Sequence, residues 1–359
     1  MKKIDIYIIR KFLGTFFFAL AMIVLIAIVF DLSEKMDDFL DKQAPFRAVI
    51  FDYYLNFIPW FANLFSNLFV FISVIIFTSQ MAQNSEFIAI LSSGVSFKRI
   101  LVPYFIAAAI ITMFTFSLGN YIIPSANKVR LEFQDAYMKG AGVRIGAMDI
   151  HRQISPGIYI YLESYNSSRE VGYKISIEKF KNNRLVSKLN ADMMTWDSIT
   201  EKWIVQNYYI RNFDETKESI VSGIRLDTSL RMHPNDFKKK KEIVEAMNKD
   251  ELNEYIEEQK LMGTPEVVNS EIEKYSRIAN PFATFILTLI GVSLSARKSK
   301  GGMGINIGIG IFLSFSYILF MKFATTFAIN GTFSAMFSVW IPNIIYAIIS
   351  IGLYFSAPK

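Results

Sequence analysis

The apolar positions of the chain form two groups of long stretches, separated by a polar region. Three stretches lie early and three lie late, at 12–30, 53–77, 100–123, 279–296, 304–328 and 333–356. A helix needs about 20 apolar residues to cross the hydrocarbon core of a bilayer. The pattern therefore predicts six membrane-spanning helices in a three-plus-three arrangement.

Between the two groups, residues from about 143 to 232 alternate in polarity with the period of a β-strand. The segments IYIYLES (158–164), GYKISIEKF (172–180) and KWIVQNYYI (202–210) are rich in β-branched and aromatic residues, and turn-like clusters separate them. Six or more short strands at this spacing predict an antiparallel sandwich or jelly roll. Two helical stretches at 248–277 follow.

The predicted fold class is an α-helical membrane protein with an inserted all-β, jelly-roll-like domain. We expect helices one to three in 1–124, the β domain in 125–247, a helical connector in 248–277 and helices four to six in 278–359. The first apolar stretch is too long for a cleaved signal peptide and no A-x-A site follows it, so we expect a retained first span.

Charge predicts the orientation of the spans. The N-terminal residues and the loops at 85–99 and 297–300 are basic, whereas the loop at 31–47 carries five acidic residues against three basic ones. Short basic loops stay in the cytoplasm. We therefore expect both termini and the two basic loops inside, with the 31–47 loop and the β domain outside.

The composition argues against an enzyme. The chain has no cysteine and only two histidines, His151 and His233. It contains no H-E-x-x-H motif, no nucleophile elbow and no phosphate-binding G-x-x-x-x-G-K-[ST] motif. We therefore expect no catalytic, metal-binding or cofactor-binding residues. Basic and acidic residues balance between 124 and 277, so we expect no nucleic-acid partner. The Gly-rich run at 301–311 predicts helix packing or gate flexibility instead of nucleotide binding.

The segment SEFIAILSSGVSFKR at 85–99 predicts a short helix over 85–97 with Ser85 as its N-cap and Glu86 in its first turn. One face of that helix is apolar, formed by Phe87, Ile90, Leu91 and Val95. Two interpretations are open at this point. The helix is either an interfacial connector between two spans or a knob that docks into a groove of a partner protein.

Two stretches resemble one family. SEFIAILSSGVSFKRIL, beginning at Ser85, and NPFATFILTLIGVSLSARKSKGGMGINIGIGIFLSFSYILFMKF, at 280–323, are similar to the lipopolysaccharide-export permeases of the LptF/LptG type. The shared features are a Ser-Glu pair before a short apolar stretch, an Asn-Pro entry, a basic turn and a Gly-rich fifth span. The order of three spans, β domain and three spans agrees as well.

The resemblance implies a non-catalytic permease subunit in the inner membrane of a Gram-negative bacterium. Such a subunit extracts lipopolysaccharide from the outer leaflet and passes it to a periplasmic β-jelly-roll bridge protein. Its other partners are a second permease subunit and a cytoplasmic ABC ATPase dimer, which binds ATP and Mg. The 85–97 helix is then a coupling helix, with the ATPase contacts assigned to Glu86, Phe87, Leu91 and Gly94.

Five cations are candidates for contacting the phosphates of the lipid: Lys322, Lys128, Arg130, Lys35 and Lys42. Lys322 lies within the fifth apolar stretch, where it either serves the substrate or snorkels to the headgroups. Lys128 and Arg130 follow the third stretch and are either phosphate ligands or ordinary interfacial charges. The acidic run DLSEKMDD at 31–38 either pairs with Lys35 or acts through a divalent cation.

Two other functions compete with export. A membrane-anchored periplasmic scaffold or sensor needs one or two spans only. ABC permeases of the lipoprotein-release type typically have four spans per chain and a different domain order. The three-plus-three count favours the export permease.

Overall fold

The computed structural model describes residues 2–138, 147–166, 169–214, 217–230, 232–234, 241–264, 266–296 and 302–357 of the 359-residue chain. The chain divides into two compact units. The helical unit comprises Met1–Phe133, Glu242–Lys249 and Val268–Lys359, and the β unit comprises Gln134–Lys241 and Asp250–Val267.

Six of the described helical segments are long and apolar enough to cross a membrane, which confirms the six predicted spans. Before the β-strands the helices are α1 (Lys3–Asp41), α2 (Phe46–Ala48), α3 (Leu55–Gln83), α4 (Glu86–Ser92), α5 (Phe97–Ser117) and α6 (Ile123–Tyr137). After them come α7 (Lys241–Ala246), α8 (Lys249–Met262), α9 (Val267–Ser295), α10 (Gly302–Ile329) and α11 (Ala335–Ser356). π-Helical turns at Val49–Tyr54 and Leu118–Ile122 join α2 to α3 and α5 to α6. The basic turn at 297–300 lies outside the described residues.

The first and third spans are longer than the sequence pattern suggested. α1 has 39 residues and is therefore about 58 Å long, roughly twice the thickness of the hydrocarbon core. Most of the loop expected at 31–47 is a polar extension of this helix. In the same way, residues 125–137, which we assigned to the β domain, continue the third span as α6.

α3 lies at the centre of the helical unit, where it packs against both α1 and α10. The first hydrophobic core joins α1, α3, α4 and α5, and the second joins α3, α9, α10 and α11. At Gly310 a Cβ would lie 2.1 Å from Cδ1 of Ile75, so α10 approaches α3 closely there. This contact agrees with the packing role predicted for the Gly-rich run.

Three consecutive backbone carbonyls of α9, from Ala279 to Pro281, accept side-chain hydrogen bonds from three other spans. The donors are Asn343 of α11 to Ala279 (3.0 Å), Asn67 of α3 to Asn280 (3.3 Å) and Thr112 of α5 to Pro281 (3.2 Å). Hydrogen bonds between membrane helices hold the helices together. They fix α9 against three neighbours at one level of the bundle.

Three parts of the chain lie close together at one end of the helical unit: the beginning of α1, the loop between α3 and α5, and the end of α11. The Phe97 ring at the beginning of α5 lies 5.8 Å from the ring of Tyr354, near the end of α11. We call this end of the helical unit the terminal end. The opposite end, which carries the polar extensions of α1 and α6 together with α7, is called the domain end.

The β unit contains six antiparallel strands: β1 (Ala147–Ser155), β2 (Ile158–Asn166), β3 (Val171–Lys181), β4 (Arg184–Asp197), β5 (Lys202–Phe213) and β6 (Glu218–Thr228). The inserted all-β domain is thereby confirmed. The described strands form one sheet in which each strand pairs with the next along the chain. This meander differs from the two-sheet sandwich or jelly roll that we expected, because alternation predicts strands without fixing their pairing.

One face of the sheet carries the core of the β unit. The rings of Tyr165 on β2 and Trp203 on β5 lie 6.3 Å apart, although two strands separate them. In a flat sheet these strands would be about 14 Å apart. The sheet therefore curls around its buried side chains, and the indole of Trp203 donates a hydrogen bond of 2.8 Å to the backbone oxygen of Met232.

Candidate functional site

The loop between α3 and α5 lies at the terminal end and contains a helix that is shorter than the predicted 85–97 helix. α4 covers Glu86–Ser92 only. Ser85 occupies the N-cap position of α4, as predicted, but it adopts a left-handed backbone conformation with φ of +60° and its side chain makes no cap hydrogen bond. The serine whose side chain caps a helix here is Ser96: its hydroxyl accepts a hydrogen bond from the backbone N–H of Arg99 in α5.

Gly94 ends the short helix. Its φ is +85°, and its N–H donates a hydrogen bond of 3.0 Å to the backbone oxygen of Leu91. A left-handed residue after a helix is the usual position for glycine, since other residues are strained there. Among the described residues, nothing lies within 4 Å of where a Cβ would be. Gly94 therefore serves the reversal of the chain, and not a close contact within the bundle.

The apolar face predicted for this helix turns toward the bundle. Phe87 is fully buried and its ring lies 6.1 Å from that of Phe97. Ile90, Leu91 and Val95 are partly buried against the same core. In this conformation Phe87 and Leu91 anchor the segment.

The exposed face of α4 consists of small and apolar residues. Ile88 is 45% exposed, and Ala89 and Ser92 are exposed beside it. Ile88 was not among the predicted contacts, because it lies outside the apolar face on which those contacts were expected. The available signal was an isoleucine outside that face, in a loop whose other outward positions are small or polar.

The carboxylate of Glu86 is oriented by two donors. The hydroxyl of Tyr7 donates a hydrogen bond of 3.2 Å to Oε2, and the Asn84 amide donates one of 3.2 Å to Oε1. A carboxylate offers about four lone-pair sites, so Glu86 retains capacity for a cation. Its side chain is partly exposed.

A bidentate ion pair holds the other end of the loop. The guanidinium of Arg99 donates to both carboxylate oxygens of Asp5, at 2.9 and 2.7 Å. Asp5 is only 6% exposed. The beginning of α1 therefore contacts the loop near both of its ends.

At the domain end, Lys35 is engaged within the chain. Its ammonium pairs with Asp31, one turn earlier on α1, and hydrogen-bonds to the hydroxyl of Tyr53. The expected pairing of the acidic run with Lys35 is thus confirmed. Lys42, just after α1, is exposed.

Lys128 and Arg130 have different environments although they are neighbours on α6. Lys128 is exposed, whereas Arg130 is 4% exposed. The guanidinium of Arg130 lies 4.9 Å from the ring centroid of Trp60, within the range of a cation–π interaction. Arg130 is therefore part of the packing at this end of the helices.

Lys322 projects from the surface of α10. It is exposed, and the hydroxyls of Thr325 and Thr326 donate to its backbone oxygen. It lies seven residues before the end of the helix at Ile329, a rise of about 10 Å. Both interpretations of this lysine, substrate contact and snorkelling, therefore stay open.

The two histidines pack against aromatic rings of the β unit. His151 lies 4.5 Å from the ring of Tyr161, and His233 lies 5.1 Å from that of Trp196. Within the described ranges, no group of three or more His, Asp and Glu residues could hold a metal ion.

A comparison with protein families gives one match. A family model described as "Lipopolysaccharide export system permease LptF/LptG" matches residues 6–355. No match was found among curated proteins. The matched range includes the loop between α3 and α5, the polar residues at the domain end and all six strands.

Proposed function

The chain belongs to the LptF/LptG family of lipopolysaccharide export system permeases, and we propose that it works as one of two permease subunits in an inner-membrane ABC transporter. It takes lipopolysaccharide from the outer leaflet of the inner membrane and passes it toward the outer membrane. A separate cytoplasmic ATPase dimer binds ATP and Mg and supplies the energy.

The orientation follows from the charges at the two ends of α1. Its beginning carries Lys3, Arg10 and Lys11, whereas its extension beyond residue 30 is rich in acidic residues. By the positive-inside rule the terminal end lies in the cytoplasm. Both chain termini are then cytoplasmic, and the β unit is periplasmic.

The observation that carries the proposal is the arrangement around α4. Phe87 anchors the helix, while Ile88 and the partly exposed carboxylate of Glu86 are available to a partner. This surface fits a groove of the ATPase that is apolar at its centre and carries a cation at its edge. Glu86, Ile88, Ala89 and Ser92 are the proposed ATPase contacts, and Gly94 shapes the loop.

The two least buried spans are α1 and α10. In the most apolar 18-residue stretch of each of these two helices, only 22% is buried, compared with 61% in α9. The large apolar side chains exposed on α1 and α10 are mostly Phe, Ile and Leu. We assign these surfaces to the wall of an apolar cavity for the acyl chains, shared with the second permease subunit.

The proposed phosphate contacts are the exposed cations Lys322, Lys128 and Lys42. We assign structural roles to Lys35 and Arg130 instead. Lys35 forms an ion pair with Asp31, and Arg130 is buried against the ring of Trp60. From this cavity the lipid continues to the β unit and then to a periplasmic β-jelly-roll bridge protein.

Co-purification tests the proposal. The chain is expressed with the ABC ATPases of the same organism, and ATP hydrolysis is measured in lipid nanodiscs with and without lipopolysaccharide. We expect one ATPase to bind the wild-type chain, and Glu86→Lys to abolish binding or to uncouple hydrolysis from the lipid. Glu34→Lys, an exposed reversal near the other end of α1, is the matched control. If no ATPase binds, or if both reversals behave alike, the proposal fails.

A further inference from the structure

The beginning of α1 contacts the loop between α3 and α5 through two polar interactions that the proposed function does not yet use. We propose that Tyr7 and Asp5 are positioning residues: they orient Glu86 for the ATPase and make α1 move together with the 84–99 loop. This inference rests on the proposed function, in which Glu86 contacts the ATPase.

Tyr7 provides the first interaction. Of the two donors to Glu86, Asn84 belongs to the same loop and moves with it, whereas Tyr7 belongs to the first span. The Tyr7 ring also lies 6.1 Å from that of Phe77 on α3 in an edge-to-face arrangement. The Tyr7 residue is 40% exposed, and this packing on one side of its ring limits the directions in which its hydroxyl can point toward Glu86.

Asp5 provides the second interaction. Its pair with Arg99 is bidentate, so it fixes orientation as well as distance. The Asp5 carboxylate is nearly buried, whereas the Arg99 side chain is 39% exposed, so salt screens the pair in part. Arg99 lies in the first turn of α5, so the two interactions hold the loop close to both of its ends.

The rest of α1 is suited to follow this loop. α1 is one of the two spans with the smallest buried share, so fewer packed side chains resist its displacement. A force that the ATPase applies to α4 therefore reaches the first span through Tyr7–Glu86 and Asp5–Arg99. In this way ATP hydrolysis acts on the wall of the lipid cavity without a contact between the ATPase and α1.

The first experiment removes one hydroxyl. Tyr7→Phe keeps the ring, and Tyr354→Phe is its control at the same end, since the Tyr354 hydroxyl has no hydrogen bond within the described ranges. In nanodiscs at saturating ATPase, we expect Tyr7→Phe still to form the complex, with weaker ATPase binding than Tyr354→Phe because Glu86 loses one of the two donors that orient it. The lipopolysaccharide released per ATP should fall roughly threefold to tenfold, the factor that corresponds to one hydrogen bond. An unchanged ratio would overturn the proposal.

The second experiment joins the two elements covalently. The chain has no cysteine, so Asp5→Cys and Arg99→Cys can be bridged selectively with a short bis-methanethiosulfonate reagent. Because the double variant lacks the Asp5–Arg99 ion pair, we expect its unbridged form to release less lipid per ATP than the wild type, and the covalent bridge to restore part of that release. Loss of release that returns on reduction would show that the two elements separate during the cycle, against the proposal.

Hydrogen exchange of the chain alone separates this inference from the proposed function. If no ATPase binds the wild-type chain, the proposed function fails, but the exchange rates of the α4 amides still test the positioning role. We expect these amides to exchange faster in Tyr7→Phe than in Tyr354→Phe or wild type. Equal rates in all three would contradict a role of Tyr7 in holding this loop.

Discussion

The indole nitrogen of Trp60 donates a hydrogen bond of 2.8 Å to the carboxylate of Glu245. The face of the same indole carries the guanidinium of Arg130. Just after the end of α7, the backbone oxygen of Met247 accepts a hydrogen bond of 2.8 Å from Arg277 of α9. The segment through which the chain returns to the fourth span is therefore fixed to α3 and α9, which gives a structural role to part of the polar region after the β-strands.

Trp60→Phe tests the hydrogen bond to Glu245. The substitution keeps an aromatic face for Arg130 but removes the N–H donor. We expect the free energy of unfolding to fall by about 1 kcal/mol, measured by denaturant titration in detergent micelles. Trp340→Phe is the control, because within the described residues the Trp340 indole packs on Phe282 and has no hydrogen bond. Equal stability of the two variants would contradict the role of Trp60.

Arg130→Gln and Lys128→Gln test whether Arg130 stabilises the fold while the exposed Lys128 contacts the lipid. We expect Arg130→Gln to lower the free energy of unfolding by about 2 kcal/mol, since it removes a desolvated cation–π contact. Lys128→Gln should lower stability less than Arg130→Gln, because Lys128 is exposed, and should weaken photo-cross-linking to lipopolysaccharide. If Lys128→Gln destabilises the chain and Arg130→Gln does not, the two assignments are reversed.

Asn343→Leu tests the hydrogen bonds around the proline of α9. The Asn343 side chain donates to the backbone oxygen of Ala279 and accepts a hydrogen bond of 2.8 Å from Tyr317. Within a membrane such bonds contribute about 0.6 kcal/mol each on average, so we expect a loss of about 1 kcal/mol. Thr326→Ala, which removes an exposed hydroxyl bonded to its own helix, should cost less than half of that. The check is the midpoint of unfolding in mixed micelles.

Gly310→Ala and Gly308→Ala distinguish packing from flexibility in α10. The added methyl group at Gly310 would meet Ile75, whereas nothing described lies within 4 Å at Gly308. We expect Gly310→Ala to destabilise the chain and Gly308→Ala to be neutral or stabilising by up to about 1 kcal/mol. Combining Gly310→Ala with Ile75→Val should restore part of the loss. Destabilisation by both single variants would argue that α10 needs flexible glycines.

Much of the fold can be predicted from the sequence, because membrane spans and strands have distinct periods. The apolar stretches gave the number of spans, and the alternation around residues 158–210 gave the strands. The polar extension of α1 was missed because hydropathy measures the part of a helix in lipid, and not the length of the helix. Pairing into a meander could not be predicted, since each strand has two edges that look alike in sequence.

The position of the candidate site could be predicted from the sequence, but the contacts of its side chains could not. Helical spacing identified the apolar face of α4 but could not say whether that face meets the bundle or a partner. The buried ring of Phe87 decides this, and makes Ile88 the exposed residue. The contacts of Glu86 with Tyr7 and of Arg99 with Asp5 span 79 and 94 positions of the sequence, beyond the range of any local pattern.

The most direct test of the proposed function is ATP-dependent release of lipopolysaccharide from proteoliposomes that contain the chain, its second permease subunit, its ATPase and the β-jelly-roll bridge protein. The lipid transferred to the bridge protein is followed by cross-linking over time. The account predicts transfer that requires ATP, that Glu86→Lys abolishes and that Glu34→Lys leaves intact. Transfer at the same rate without ATP, or with Glu86→Lys, would contradict it.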